Sequence, residues 1–131
     1  MHQRPTAPEL YGKINHAIAA LKAGRRGFGT LRHWAEEKYV LGLKATEEVW
    51  ELLLKLLSEI KDARPEQCYA GTEPPQRSYE DEPAIKGAEL WAFSWESLHF
   101  KKRMYLKFVL KKSSRGEWWY FYIDCHPSAS K

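Results

Sequence analysis

Apolar side chains recur every three or four residues along the first half of the chain, which is the spacing of one helix face. The first such segment starts near Pro8 and stops before Gly24, a residue type that commonly ends helices. The second runs from about Thr30 to Lys38. The third opens at Thr46, whose hydroxyl suits an N-cap, and its apolar stripe comprises Val49, Trp50, Leu53, Leu54, Leu56, Leu57 and Ile60. The pattern predicts three helices.

From residue 89 onward the apolar period changes to two, which is typical of strands with one buried face. One strand is predicted over about 89–95. Two more, 103–111 and 117–126, are separated by a short turn and predict a hairpin. Residues 63–88 are rich in proline and acidic side chains and predict an irregular connection.

Each hairpin strand divides into an apolar set and a polar or aromatic set. The apolar sets are Met104, Leu106, Phe108 and Leu110, then Trp119, Phe121, Ile123 and Cys125. The other sets are Arg103, Tyr105, Lys107 and Lys111, then Trp118, Tyr120, Tyr122, Asp124 and His126. A turn centred on Ser114 and Arg115 brings the apolar sets together, and a slip of one residue would mix the sets. This register places Arg103 opposite His126, Tyr105 opposite Asp124, and Lys107 opposite Tyr122.

Three helices followed by three strands predict a single α+β domain, with N-terminal helices packed on one face of a small antiparallel β-sheet. The domain spans residues 1–131, with a helical part at about 8–62, the connection at 63–88 and the sheet at 89–126. A chain of 131 residues can bury roughly two thirds of its unfolded surface in one core, so no second domain is needed.

The formal charge of +4 is unevenly distributed. Residues 99–131 contain eight Lys or Arg and two acids, a net charge of +6, whereas residues 65–98 contain two against seven, a net charge of −5. A basic hairpin suits a polyanion, with nucleic acid the leading candidate. The ordinary alternative is a solvated hairpin whose lysines discourage edge-to-edge association.

Cysteine and histidine positions give no sign of a metal site. Cys68 and Cys125 form no Cys-x-x-Cys motif, and His16, His33 and His99 lack ligand spacing. We therefore assign no metal and no cofactor. Because nothing resembles a signal peptide or a membrane span, we expect a reduced, cytoplasmic compartment and no membrane partner.

The polar face of the hairpin holds the candidate catalytic residues. His126 ends its strand just before Pro127 and can exchange protons near neutral pH. Arg103 and Lys107 can hold a phosphodiester and stabilise charge on its nonbridging oxygens. Tyr105 between them can donate a hydrogen bond or stack on a base. Each also has an ordinary alternative as a hydrogen-bonded, solvated or packed strand residue.

Further side chains extend this surface. Those assigned to nucleic-acid contact are Tyr120, Tyr122, Lys101 and Lys111. Asp124 has two interpretations, because it could orient His126 or Arg103, or could be an ion-pair partner that lowers phosphate affinity. Trp118 is better explained by cross-strand packing.

Several short strings, in this order and spacing, resemble the MqsR family of toxin–antitoxin ribonucleases within the wider RelE-like group. They are Ala23-Gly-Arg25, Leu41-Gly-Leu43, the leucine-rich third helix, Leu90-Trp91, Tyr105-Leu-Lys107 and Ile123-Asp-Cys-His126. The resemblance covers most of residues 13–126. The chain departs from the family at Ala92, where a Gln commonly follows the strand Trp, and it has no counterpart for a Lys after the long helix.

The resemblance implies a RelE-like fold and a metal-independent endoribonuclease, an mRNA interferase restrained by a cognate antitoxin protein. Tyr105 and His126 match active-site positions of the family, and Lys107 matches a lysine that we assign to phosphate contact. RNA supplies its own nucleophile in the 2′-hydroxyl, so we expect the protein to orient the phosphate, stabilise charge and move protons. The implied partners are mRNA and the antitoxin, and involvement of the ribosome is left open.

Two other classes of function fit the same residues. A noncatalytic nucleic-acid-binding module would use the basic and aromatic face without needing His126. A protein-interaction domain would use its tryptophans and the acidic run Glu80-Asp81-Glu82 to bind a partner. That acidic run could also fold over the basic face when RNA is absent.

Overall fold

The computed structural model describes residues 4–29, 31–71 and 85–128, with the backbone alone for 31–33. The helices are α1 (Ala7–Ala23), α2 (Leu31–Val40), α3 (Glu48–Asp62) and α4 (Pro65–Cys68). The strands are β1 (Arg26–Phe28), β2 (Glu89–Ser97), β3 (Lys102–Lys112) and β4 (Trp118–Pro127). Helices therefore precede the main strands, and the predicted α+β class is confirmed.

The helix ends follow local chemistry at most positions. The Thr6 hydroxyl accepts a hydrogen bond from the Glu9 N–H at the start of α1, and Gly24 ends the helix with a φ of 79°. Such a left-handed backbone favours glycine. The N-cap position of α3 is Glu47, which makes no capping hydrogen bond through its side chain, so the predicted Thr46 cap is wrong.

The sheet has four strands in the order β1-β4-β3-β2. The three long strands pair antiparallel as predicted, and the short β1 adds a parallel strand beside β4 that the sequence did not indicate. The predicted irregular connection contains α4 and a bridge from Tyr69 to Phe93 at the edge of β2. The acidic run at 80–82 lies outside the described residues.

A β-bulge at Ile123 corrects the predicted register of the hairpin. Lys107 faces Asp124, whereas the next residue, Phe108, faces Tyr122, so Ile123 has no opposite partner on β3. One extra residue reverses which side chains point to which face of the strand. The predicted pairings of Arg103 with His126, Tyr105 with Asp124, and Lys107 with Tyr122 are therefore wrong.

The bulge sends the β4 tyrosines into the core. Tyr120 and Tyr122 are fully buried opposite Leu110 and Phe108, beneath the helices. The side chains they join include Leu10, Ile14, Leu53, Leu56, Leu57, Trp91, Phe93, Trp95, Met104 and Leu106. Trp118 also lies on this side, with its ring stacked on His16 of α1. Hence these three aromatics do not share a face with Tyr105, contrary to the prediction.

A smaller apolar cluster covers part of the opposite sheet face. It contains Ile85, Ala88, Leu90, Val109 and Ile123, with Phe121 packed against it. Ile123 and Phe121 thus leave the main core in which the sequence had placed them. The segment at 85–88, just before β2, covers this half of the face, which leaves the half near the β2–β3 turn for polar side chains.

Gly29 follows β1 where the backbone passes close to the bulge. Its N–H donates to the Tyr122 carbonyl at 2.7 Å. A Cβ at position 29 would clash with Ile123 Cδ1 and lie 3.1 Å from the Tyr122 oxygen. Gly29→Ala should therefore lower the free energy of unfolding by about 1–3 kcal/mol, the usual cost of overpacking. Urea unfolding measures this.

The matched control is Gly12→Ala, within α1. A Cβ there meets nothing within 4 Å, so the variant should gain about 0.5–1 kcal/mol from the better helix propensity of alanine. A Gly29→Ala variant as stable as the wild type would contradict the close approach of Gly29 to the bulge.

Glu59 of α3 ties the helix layer to the β2–β3 turn. Its carboxylate accepts from Trp95 Nε1 at 2.9 Å, Ser97 Oγ at 2.8 Å and the His99 N–H at 2.9 Å. Burial acts to raise the pKa of Glu59, but these hydrogen bonds outweigh it and hold the pKa below the ordinary 4.5.

Because the carboxylate form is preferred in the folded state, Glu59 stabilises the fold above its unfolded pKa and loses that contribution as pH falls through its folded pKa. Glu59→Gln should therefore flatten the acid side of the stability–pH curve, measured by urea unfolding from pH 3 to 7. Glu51→Gln, an exposed change on the same helix, should keep the wild-type slope. Equal slopes for the wild type and Glu59→Gln would contradict this role.

Candidate functional site

Nine residues form three rows across β2, β3, β4 and the residue that follows β4, on the sheet face opposite the helices. Met104 and Leu106 point into the core, so the residues between and beside them on β3 point the other way. From the turn inward, the rows are Glu96–Arg103–Ser128, Ser94–Tyr105–His126 and Ala92–Lys107–Asp124. We call these nine residues the polar rows.

The middle row brings together two predicted catalytic residues. The Tyr105 and His126 rings are stacked, with centroids 5.2 Å apart and planes 24° apart. Directly opposed residues in an antiparallel pair are close enough for such contact. Both side chains are partly exposed. The observed register therefore places Tyr105 directly opposite His126, closer than the predicted register placed them.

The hydrogen bond of His126 defines its neutral tautomer. Nδ1 lies 2.9 Å from the Pro127 carbonyl oxygen. Because a carbonyl oxygen only accepts, we assign the proton to Nδ1. Nε2 of the neutral ring then carries the lone pair and can take up a proton from a bound group.

The third row contains an ion pair. Lys107 Nζ lies 3.9 Å from Asp124 Oδ2, and the two side chains are 21% and 15% exposed. Partial burial reduces solvent screening of this attraction. Of the two interpretations of Asp124, the structure shows the ion pair, and an incoming phosphate would compete with Asp124 for the lysine.

In the first row, the Arg103 side chain lies against β2. Its Nε donates to Ser94 Oγ at 3.1 Å, and its Nη1 lies 4.0 Å from Glu96 Oε1. Ser94 Oγ is also 3.4 Å from Ser128 Oγ. Arg103 thus lies one row away from His126 rather than opposite it, with its guanidinium oriented by a serine.

The four residues assigned to nucleic-acid contact have different positions. Tyr120 and Tyr122 are fully buried on the other face, so their predicted place on the contact surface is wrong. Lys111 lies on the same face of β3 as Lys107, as predicted, and is partly exposed. Lys101 is exposed in the β2–β3 turn, with a φ of 58°.

Ser94 and Ser128 are site residues that the sequence did not reveal. Alternation places Ser94 and Ala92 on one face of β2, but only the β2–β3 register shows that Ser94 lies opposite Tyr105. Ser128 follows the last strand, and its N–H donates to the Arg103 carbonyl at 2.9 Å. Small polar residues at these positions carry no pattern of their own.

Further observations concern metal ligands, membrane-spanning helices and the two cysteines. In the described ranges, no group of three or more His, Cys, Asp or Glu residues could hold a metal ion. No helix in that part of the chain is long and apolar enough to cross a bilayer. Cys68 and Cys125 are buried free thiols, and burial raises the pKa of both.

The Lys107–Asp124 pair gives a test of anion binding by the polar rows. Asp124→Asn removes the competing carboxylate, so the affinity for a labelled single-stranded oligonucleotide should rise about two- to fivefold, as expected for loss of about 0.5–1 kcal/mol of ion pairing. The salt dependence of binding should also steepen. Fluorescence anisotropy at two salt concentrations measures both quantities.

Asp62→Asn provides the control, because it makes the same charge change at the exposed end of α3. If both variants raise affinity equally, the gain reflects net charge alone, and the polar rows are not the contact surface.

No protein-family model, curated protein or solved structure matches the chain. The geometry of the polar rows and the short strings that resemble the MqsR family are therefore the two features that bear on function.

Proposed function

We propose that this protein is a toxin endoribonuclease of the MqsR type, which cleaves single-stranded mRNA without a metal ion and is neutralised by a cognate antitoxin. The observation that carries this proposal is the stack of Tyr105 on His126, between rows that contain Arg103 and Lys107. A proton-exchanging ring, a phenol and two cations on one face are a set of groups suited to phosphodiester cleavage.

In the proposed reaction, His126 Nε2 takes the proton from the RNA 2′-hydroxyl. The 2′-oxygen attacks the adjacent phosphorus, the bond to the 5′-oxygen breaks, and the leaving oxygen is protonated. The products are a 2′,3′-cyclic phosphate and a 5′-hydroxyl end. Tyr105, oriented by its stack on His126, either gives its proton to the leaving oxygen or donates a hydrogen bond to the phosphate while water protonates the leaving oxygen.

The cations lie on both sides of the reacting pair. Successive residues on one strand face are about 6.8 Å apart, so Arg103 and Lys107 each lie one such step from Tyr105. Their long side chains can both extend toward a phosphate at the middle row. Lys107 would exchange its contact with Asp124 for the phosphate, and charge developing on the nonbridging oxygens would strengthen that contact.

The proposed partners, mRNA and an antitoxin, and the proposed cytoplasmic location are supported only by the resemblance to the MqsR family. An enzyme acting on mRNA would work in the cytoplasm, and an antitoxin would protect the cell by covering or distorting the polar rows. Lys101 and Lys111, at the two ends of β3, would contact the RNA on either side of the cleaved bond.

A noncatalytic RNA-binding domain is the second candidate, and Ala92 favours it. This small apolar residue occupies the third row, beside Lys107, where the MqsR family commonly has a Gln. The row therefore lacks one polar group that an active enzyme could use to hold its substrate.

Loss of the histidine distinguishes the two candidates. His126→Ala should reduce cleavage of a single-stranded RNA at least 100-fold, the usual contribution of general acid–base catalysis, and leave RNA affinity within about threefold. Gel assays of end-labelled RNA measure cleavage, and anisotropy measures binding. His99→Ala, an exposed change in the β2–β3 turn, should leave both unchanged.

Replacing the 2′-hydroxyls by hydrogen tests the nucleophile. The deoxy substrate should bind but stay intact, and chelators should have no effect on cutting of the ribose form. Cutting of the deoxy substrate would exclude the mechanism. Binding of RNA with no cleavage by the wild type would favour the noncatalytic domain.

A further inference from the structure

The outer edge of β4 loses its neighbouring strand just before the polar rows begin. β1 ends at Phe28, which pairs with Tyr122, and the Gly29 N–H makes a last bond to the Tyr122 carbonyl. β4 itself continues to Pro127. A backbone N–H on this edge beyond Tyr122 needs another acceptor, because a buried donor without one costs free energy.

Glu37 of α2 supplies that acceptor. Its Oε1 accepts from the Cys125 backbone N–H at 2.9 Å and also from the Tyr122 hydroxyl. The side chain is 8% exposed. α2 is held over β4 by Trp34, whose ring packs edge-on against Tyr122 at 5.8 Å. One carboxylate thus contacts β4 on both sides of the bulge.

A buried carboxylate is a costly way to satisfy one backbone N–H and one hydroxyl. Burial raises the pKa of Glu37, and the nearby Asp124 acts in the same direction, while the bonds from Tyr122 and Cys125 and the His126 ring act against it. Simple packing of α2 on the sheet does not require a charged group at this position.

We propose that Glu37 is a positioning residue for the catalytic pair: by holding the Cys125 N–H at the open edge of β4, it fixes His126 in register opposite Tyr105. This inference rests on the proposed function for its catalytic consequence. Its structural half, the effect on the ring stack, stands independently.

The bulge explains why such a clamp is needed. Ile123 has no partner on β3, so the last residues of β4 could shift by one and exchange their faces. Cys125 points into the core between Asp124 and His126, which point to the polar rows. Fixing the Cys125 backbone therefore fixes the orientation of both neighbours, although Glu37 itself lies on the opposite side of the sheet.

Three substitutions of Glu37 test separately the hydrogen-bond acceptor, the negative charge and the length of the side chain. Glu37→Ala removes the acceptor, Glu37→Gln keeps an oxygen in place without the charge, and Glu37→Asp shortens the side chain by one methylene. Glu36→Ala, exposed on the same helix, is the matched control. The Tyr122→Phe variant removes the other donor while leaving the bond to Cys125.

Two measurements follow for each folded variant. NMR reports the ring-proton shifts of His126, which the stacked Tyr105 ring displaces, and hydrogen exchange at the Cys125 amide. RNA cleavage gives kcat and KM separately. Glu37→Ala should abolish the ring-induced shift, speed amide exchange at least 10-fold and lower kcat at least 10-fold with KM within threefold. Glu37→Gln, Tyr122→Phe and Glu36→Ala should keep the shift and a kcat within threefold of the wild type.

If Glu37→Ala does not fold, Glu37→Asp replaces it, with the same expected changes in direction. If the variant that loses the acceptor keeps the Tyr105–His126 stack or the wild-type kcat, the positioning role of Glu37 is wrong, while the ribonuclease proposal is unaffected. If the wild type cleaves no RNA, the proposed function and the catalytic half of the inference fail. The His126 shift then still decides whether Glu37 holds the pair in register.

Discussion

The single extra residue at Ile123 is the constraint on which the rest of this structure depends. Before the bulge, the alternation of β4 places Tyr120 and Tyr122 under the helices, where their rings fill the core. After it, the alternation has shifted, and His126 points to the opposite face. An uninterrupted strand would place one set of side chains on the wrong side, so core and site both require the bulge.

The site is less cationic than the charge of the hairpin indicates. Lys107 is paired with Asp124, and Arg103 lies against Ser94 near Glu96. These contacts weaken general attraction for polyanions and hold both cations in the rows on either side of Tyr105. Under the proposed function, cations held in this way would position one phosphate rather than attract polyanions nonspecifically.

Much of the fold followed from periodicity. Three helices, the ending at Gly24 and the antiparallel hairpin were predicted, and alternation correctly grouped Tyr105 with Lys107 on β3. The short β1 was missed because three residues are too few to show a period. Glu37 was missed because a single charged residue in a helix gives no sign that it is buried.

The sequence by itself determined the α+β class and which residues of β3 face away from the helices, because repeated apolar spacing over many residues dictates what must be buried. Only the tertiary structure decided which side chains of β4 face the core and which face the polar rows. Tyrosine is compatible with either a core or a surface, and one inserted residue leaves no mark on a two-residue pattern. Packing of Tyr120 and Tyr122 against the helices, with Glu37 bonded beyond the end of β1, selects the register that brings His126 to Tyr105.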